Sequence, residues 1–167
     1  MKIRKAERVD VPTIAKIHVD AWLETYRGLV PDTYLDRLTY KKREALWTEN
    51  IQSSNIILAE DEEGTAGFAT WHYSSTYEDS NAELSSLYIR QRFQRRGAGK
   101  ALLSFILRDL QEKGHQKMRV KVLSENPACQ FYEAMGGERV EEVTITIDGK
   151  SLKEAIYLWT LTEESMS

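Results

Sequence analysis

A mixed α/β domain is the fold this sequence predicts, and three observations predict it. The chain has 167 residues and a mass of 19.3 kDa, the size of one domain rather than two. Met118, Val120 and Val122 alternate as in a strand, whereas apolar residues at 98, 101, 102, 105, 106 and 110 recur at helical spacing. Residues 84–122 therefore read as strand, helix, strand, which implies a parallel pair. The domain is expected over residues 1–161, with a polar tail at 162–167 that frays.

Residues 1–6 read as a short strand. Asp10 is placed to cap a helix, with Pro12 in its first turn and Ile14, Ile17 and Ala21 along one face. Pro31 lies in the loop after Gly28, and a second helix is expected near 32–50. Asn55–Ala59 and Gly67–Tyr73 read as strands joined by an acidic turn, Glu60-Asp61-Glu62-Glu63-Gly64. A polar loop at 74–81 leads to a strand at 83–89. The helix that follows runs from Ala98 to about Lys113 and ends at Gly114. Asn126-Pro127 opens a short helix ending at Gly136-Gly137. Val143–Ile147 and Ala155–Thr160 read as two strands around the turn Asp148-Gly149.

Composition excludes several functions. Apolar residues make up 41% and charged residues 29%, with a formal net charge of −3. That balance suits a globular protein and does not suggest a nucleic-acid binder. A single cysteine, Cys129, excludes a disulfide framework and a cysteine-rich zinc site, and it reads as a packing thiol. His18, His72 and His115 are scattered without metal-ligand spacing, so no metal is expected. No apolar run approaches a membrane span, and the first residues lack the apolar stretch of a signal peptide. The cytoplasm is the expected location.

The chemistry concentrates between residues 90 and 100. Arg90, Arg92, Arg95, Arg96 and Lys100 are basic and no residue there is acidic, whereas the other 156 residues hold 18 basic and 26 acidic side chains. This patch falls where a strand ends and a helix begins. Free backbone N–H groups and the helix dipole favour an anion there by ~0.3–2 kcal/mol. Gly97 and Gly99 permit close backbone approach, so a phosphate-bearing ligand fits. A Walker loop fails because position 94 is Gln and position 101 is Ala. A dinucleotide G-x-G-x-x-G fails because position 102 is Leu.

What remains is Gln94-x-x-Gly97-x-Gly99, preceded by Leu84-x-x-Leu87-Tyr88-Ile89 and followed by Leu102-Leu103 and Asn126-Pro127-Ala128-x-x-Phe131-Tyr132-x-x-x-Gly136. This series resembles the GNAT family of N-acetyltransferases. The resemblance covers most of the chain and is tightest over 83–137. It implies a splayed, mostly antiparallel sheet of about six to seven strands with helices on both faces. It also implies that acetyl-CoA, a co-substrate, wedges between the strand ending at Ile89 and the one ending near Val122. Trp22 to Pro31 looks like the acceptor-side helix and loop of small bacterial members.

The implied reaction moves an acetyl group from a thioester to a primary amine of a small molecule, polyamine or peptide. Gln94, Arg95, Arg96, Gly97, Ala98, Gly99 and Lys100 would hold the pyrophosphate. The backbone of Leu87, Tyr88 and Ile89 would meet the thioester oxygen and pantetheine arm. Tyr132 would protonate the departing thiolate, since a phenol of pKa ~10 lies close enough to a thiol's ~8.5. Packing is the competing reading of Tyr132. Glu83 would take the amine proton, against the ordinary reading of an exposed strand-end glutamate. Asn126 would contact pantetheine or simply cap its helix. His72 could shuttle protons, although a structural histidine is the commoner case. Trp22, Tyr26 and Tyr73 would line an acceptor pocket or else belong to the core. A homodimer is compatible with the resemblance. An acyl-CoA sensor on the same fold is the alternative function. A nucleotide-binding protein is disfavoured by the failed glycine and Ser/Thr positions.

Overall fold

The computed structural model describes residues 1–74 and 81–161. Most of the loop expected at 74–81, and the tail expected at 162–167, lie outside these described residues. Seven strands form one sheet: β1 (Lys2–Lys5), β2 (Asn55–Asp61), β3 (Gly64–Tyr73), β4 (Ala82–Ile89), β5 (Lys117–Leu123), β6 (Glu138–Ile147) and β7 (Lys150–Thr160), in the order β1-β2-β3-β4-β5-β7-β6. β4 and β5 are the parallel pair that the strand–helix–strand pattern requires, while β1 on β2, β5 on β7 and β6 on β7 are antiparallel. Among the described residues the α-helices are α1 (Val11–Tyr26), α2 (Asp32–Leu35), α3 (Tyr40–Asn50), α4 (Ala98–Glu112) and α5 (Ala128–Ala134). Among the described residues no helix is long and apolar enough to cross a membrane. The contacts divide the chain into two compact units, Met1–Thr70 with Ser86–Leu103 and Trp71–Ser85 with Ser104–Ser167. β3, β4 and α4 each contribute to both.

In the first unit the predicted face of α1 is buried: Ile14, Ile17 and Ala21 keep 0%, 2% and 8% of their surface exposed. Burying an isoleucine stabilises by roughly 1.5–3 kcal/mol, enough to hold a helix of this length to its neighbours. Asp10 stands at the N-cap, but its side chain makes no capping bond to α1. It is turned instead toward Arg4, which donates to both carboxylate oxygens at 2.8 and 2.9 Å, and toward the Glu7 N–H at 2.7 Å. The guanidinium holds the Asp10 carboxyl below its usual range. Charge-assisted bonds are about twice as strong as neutral ones, so the bidentate pair outcompetes the cap.

The single helix expected near 32–50 is two helices. α2 closes after one turn, and Thr39 adopts an extended backbone and accepts the Lys42 N–H to start α3. Behind α3, Trp47 Nε1 donates to His18 Nδ1 at 3.2 Å. Burial, aided by the charge of Arg43, pushes the His18 pKa down to about 4.

In the second unit β6 and β7 are longer than their sequence signals. β6 begins at Glu138, and its first five residues are exposed and mostly charged, with no alternation to read. Pairing to β7 alone defines them, through a register shift between Arg139 and Glu141. β6 is also a terminal strand of the sheet, where charges discourage pairing with other chains. The turn between them has both residues left-handed, Asp148 at φ 45° and Gly149 at φ 82°, as a two-residue hairpin requires. α4 buries Leu102, Leu103, Ile106 and Leu110 completely, whereas Phe105, counted in the predicted stripe, is 42% exposed at its flank.

Candidate active site

In the first unit β4 ends at Ile89, and a single 3₁₀ turn, Gln91–Phe93, carries the chain toward α4. Phe93 is fully buried and anchors this turn, with the guanidinium groups of Arg92 and Arg96 over its ring at 4.6 and 5.3 Å. The Arg90 N–H donates to the Ala66 carbonyl at 2.8 Å, tying the turn to β3. Arg95 and Gly97 then take left-handed backbone, φ 67° and 85°. Residues 94–97 are exposed, while Ala98 is buried and fixes the start of α4. The Gly97 carbonyl accepts the Ala101 N–H at 2.9 Å as the first bond of that helix. The amides just after Gly97 therefore have no intrahelical acceptor. A Cβ on Gly97 would meet nothing within 4 Å, so its glycine is required by backbone angle, not by crowding. Gly99 lies within the first turn of α4.

The basic residues differ in engagement. Arg96 pairs with Glu63 at 3.0 Å and Asp61 at 3.7 Å, and Arg92 donates to the Glu63 carbonyl. The acidic β2–β3 turn thus holds two of the cations. Among the described residues Arg95 and Lys100 have no such partner. Gln94 donates to the Ile89 carbonyl at 3.5 Å.

Trp22 and Tyr26 come together in this unit, their rings 4.5 Å apart, with Tyr34 5.7 Å from Trp22. Trp22 Nε1 donates to the Tyr88 hydroxyl at 2.8 Å, and the Tyr88 ring stacks on His18 at 5.2 Å. Burial pushes the Tyr88 phenol well above its usual range. The Tyr88 side chain is therefore partly buried and packed against the core of this unit. Sequence reasoning missed Gly67 on β3. A Cβ there would lie 2.3 Å from the Tyr88 carbonyl oxygen and 2.7 Å from Ile89 Cδ1. A glycine inside a strand is the signal that marks such an approach.

The second unit holds Glu83, Asn126, Tyr132 and Tyr73. Asn126 accepts the Ala128 N–H through its side chain at 2.9 Å and the Cys129 N–H through its carbonyl at 3.1 Å, which sets the start of α5. Tyr132 keeps 5% of its surface exposed, edge-on to Trp159 with ring centres 5.7 Å apart and tilted to Tyr157 at 6.1 Å. Its carbonyl accepts the Gly137 N–H at 2.9 Å, closing the helix. Cys129 is buried, and burial raises its thiol above the usual range, so it has no reactive character. Tyr73 is 44% exposed and stacks on His115 at 4.5 Å, so it is a surface ring and not core.

Glu83 is mostly covered, its side chain 14% exposed, and it has close company. His72 Nε2 lies 3.6 Å from its carboxylate, and His72 Nδ1 lies 2.6 Å from Ser85 Oγ. The His72 ring is 54% exposed. His72 is thus a surface ring held by two polar groups. Glu154 on β7 feels the Glu83 charge, and burial with that charge raises its carboxyl above the usual range against the pull of Lys121. Ser85 and Glu154 carry no motif: Ser85 shares a face of β4 with Glu83 two residues away, and the fold brings Glu154 to them.

A family model for the acetyltransferase (GNAT) family matches residues 16–137. The uncharacterized N-acetyltransferase YuaI of Bacillus subtilis (strain 168) is 38% identical over 159 residues, which cover 94% of this chain and 91% of the relative. Among solved structures, yncA of Salmonella typhimurium, a putative acetyltransferase with its cofactor acetyl-CoA, matches at a TM-score of 0.74 and 21% identity, covering 97% of this chain and 94% of that one. The paia N-acetyltransferase of Thermoplasma acidophilum in complex with coenzyme A matches at a TM-score of 0.73 and 22% identity, covering 92% and 96%. The two likenesses show that this chain shares their fold.

Proposed function

This chain belongs to the acetyltransferase (GNAT) family, and from that premise we propose that it transfers an acetyl group from acetyl-CoA to a primary amine by direct attack within a ternary complex. The observation that carries the reading is the backbone at residues 95–98. Two left-handed residues precede a helix start anchored by buried Ala98, in a loop open to solvent with two unpartnered cations among the described residues. Such a nest of N–H groups suits a diphosphate. The YncA and PaiA structures bear acetyl-CoA and coenzyme A, which agrees with that ligand class.

In this reading residues 1–161 act as one catalytic domain. Gln94 to Lys100 hold the pyrophosphate, the backbone of Leu87, Tyr88 and Ile89 meets the pantetheine arm and thioester oxygen, and Asn126 contacts pantetheine. The register of β4 on β5 ends at Leu84, before those three residues. An alkylamine has a pKa of ~10.4 and arrives as an ammonium ion. Glu83 takes one of its protons. The nitrogen lone pair attacks the thioester carbon, and backbone N–H groups stabilise the oxyanion. The C–S bond breaks as Tyr132 gives its phenolic proton to the sulfur, the nitrogen gives up its second proton to water, and water returns a proton to the phenolate. Trp22, Tyr26 and Tyr73 contact the acceptor. An acidic remainder of the chain favours a cationic amine such as a polyamine or lysine side chain.

Two measurements test this. Acetyl-CoA at ~100 times its Kd is expected to stabilise the protein by ~2.7 kcal/mol, and ATP or NAD is not. A panel comprising a polyamine, a lysine peptide, an aminoglycoside and an amino-acid analogue, with released thiol as readout, is expected to contain an acceptor. Tyr132→Phe is expected to lower kcat on that acceptor by ~10²–10⁴ while acetyl-CoA affinity is kept. A melt shifted by ATP or NAD and not by acetyl-CoA overturns the function, and unchanged turnover removes Tyr132 from its role.

A further inference from the structure

Glu83 faces a problem that its surroundings pose. It is mostly covered, so a proton that it takes at each turnover has little direct access to water. The side chain beside it is an exposed histidine. His72 sits near the end of β3, Glu83 and Ser85 at the start of β4, and all three belong to the second unit. Resting on the reading of Glu83 as the base, we propose that His72, oriented by Ser85, carries the amine proton from Glu83 to solvent.

Each atom has a place in the step. Ser85 Oγ lies 2.6 Å from His72 Nδ1 and Glu83 Oε2 lies 3.6 Å from Nε2; in the tautomer the relay uses, Ser85 Oγ accepts the Nδ1–H and Nε2 is left to take the proton once Glu83 carries it. An ammonium N–H proton moves to the Glu83 carboxylate and frees the amine lone pair for attack. The carboxyl proton then moves to Nε2 as the ring closes to about 3 Å, the distance that proton transfer needs. The imidazolium releases its proton to water through its exposed edge. Carboxylate and neutral imidazole are restored, and no other reactant is consumed. Imidazole suits this task because it exchanges protons with water near neutral pH. The neighbouring strands bring three further charged groups here: Arg119 on β5, the register partner of Glu83, Glu154 on β7, which feels the Glu83 charge, and Lys121 on β5, which acts on Glu154. Arg119 is buried, so His72 is the exposed titratable group beside the Glu83 carboxylate. It also follows that the acceptor enters as a cation, since an amine that arrives neutral gives up its proton only after attack.

The test uses the full chain, acetyl-CoA and the fastest acceptor of the amine panel, from about pH 6.5 to about pH 9.5. His72→Gln is expected to lower kcat at least about tenfold near pH 7 with KM for acetyl-CoA unchanged. The loss is expected to shrink as the pH rises and the amine deprotonates by itself. Added imidazole is expected to restore part of the rate. Ser85→Ala, which leaves the ring present but unheld, is expected to show a smaller loss with the same pH trend. His72→Gln turning over like the parent protein overturns the relay, and so does a loss that is equal at every pH and indifferent to imidazole. Glu83→Gln inactive beside an intact His72→Gln overturns the relay alone. A parent protein that acetylates no amine of the panel overturns the base role of Glu83 and the relay with it.

Discussion

Trp22 Nε1 lies 2.8 Å from the Tyr88 hydroxyl and donates a hydrogen bond to it, joining helix α1 to strand β4. Both ends are ring systems with further partners: Tyr26 beside Trp22, and His18 stacked on Tyr88. The bond therefore fixes side chains that packing has already positioned, and its worth should approach that of a buried neutral hydrogen bond. A double-mutant cycle of Trp22→Phe and Tyr88→Phe is expected to give a coupling of ~1 kcal/mol by urea denaturation. A coupling near zero would show that the two rings are held by packing alone.

The glycines at 67 and 97 are predicted to fail in different ways. A methyl at Gly67 would stand 2.3 Å from the Tyr88 carbonyl oxygen, a backbone atom that cannot step aside without moving β4. Gly67→Ala is expected to lose stability by at least the ~1–3 kcal/mol typical of overpacking, and acetyl-CoA binding with it. Gly97 has open space around it, so Gly97→Ala carries only the cost of φ 85°, roughly 1–2 kcal/mol. Relieving that strain re-aims the amides after it. Its expected signature is weakened acetyl-CoA binding with a modest change in melting temperature. Thermal melts with and without acetyl-CoA separate the two cases.

Stability is predicted to fall as acid reaches His18. Burial holds its folded pKa down to about 4, against an ordinary value of 6.5. Between those values the unfolded chain binds a proton that the folded chain does not. The stabilisation from keeping His18 neutral is thus fully present above about pH 6.5 and is lost as pH falls toward about 4. The total is at most ~3 kcal/mol. The Asp10 carboxyl, also held low, titrates below this window. Urea midpoints measured across it should slope upward with pH in the parent protein and flatten in His18→Gln.

How much of this was legible in the sequence depends on whether a residue's role is local. The loop at 94–99 could be read because a strand end, a glycine and a helix start are chain neighbours, and backbone geometry follows from them. Asp10 stands at the expected N-cap, but its side-chain partner is not legible, because Arg4 approaches through β1. The break between α2 and α3 turned on Thr39, whose capping bond is a choice that periodicity does not record. β6 was read short because its charged first half answers only to β7. His72 was the deepest gap. Its partners Glu83 and Ser85 lie on the neighbouring strand, and the pleat that turns alternate residues one way brings all three together.

The cations of the loop are predicted to contribute unequally to acetyl-CoA binding. Arg96 already satisfies Glu63 and Asp61, and Arg92 donates to the Glu63 carbonyl. Redirecting either to a phosphate would break an existing contact, so the net gain is small. Arg95 and Lys100 have no such contact to lose among the described residues. Arg95 also sits at the left-handed turn, beside the amides assigned to the diphosphate. Removing either cation is expected to weaken acetyl-CoA by about 1 kcal/mol, roughly fivefold, with the effect fading at high salt. Arg96→Ala should instead lower the melting temperature slightly, in keeping with a surface ion pair of ~0–1 kcal/mol, and leave affinity nearly unchanged. Titration of acetyl-CoA into the three single variants at low and high ionic strength decides it. If Arg96→Ala costs the most affinity, the acidic β2–β3 turn releases its arginine to the ligand, and the order of the cations must be reversed.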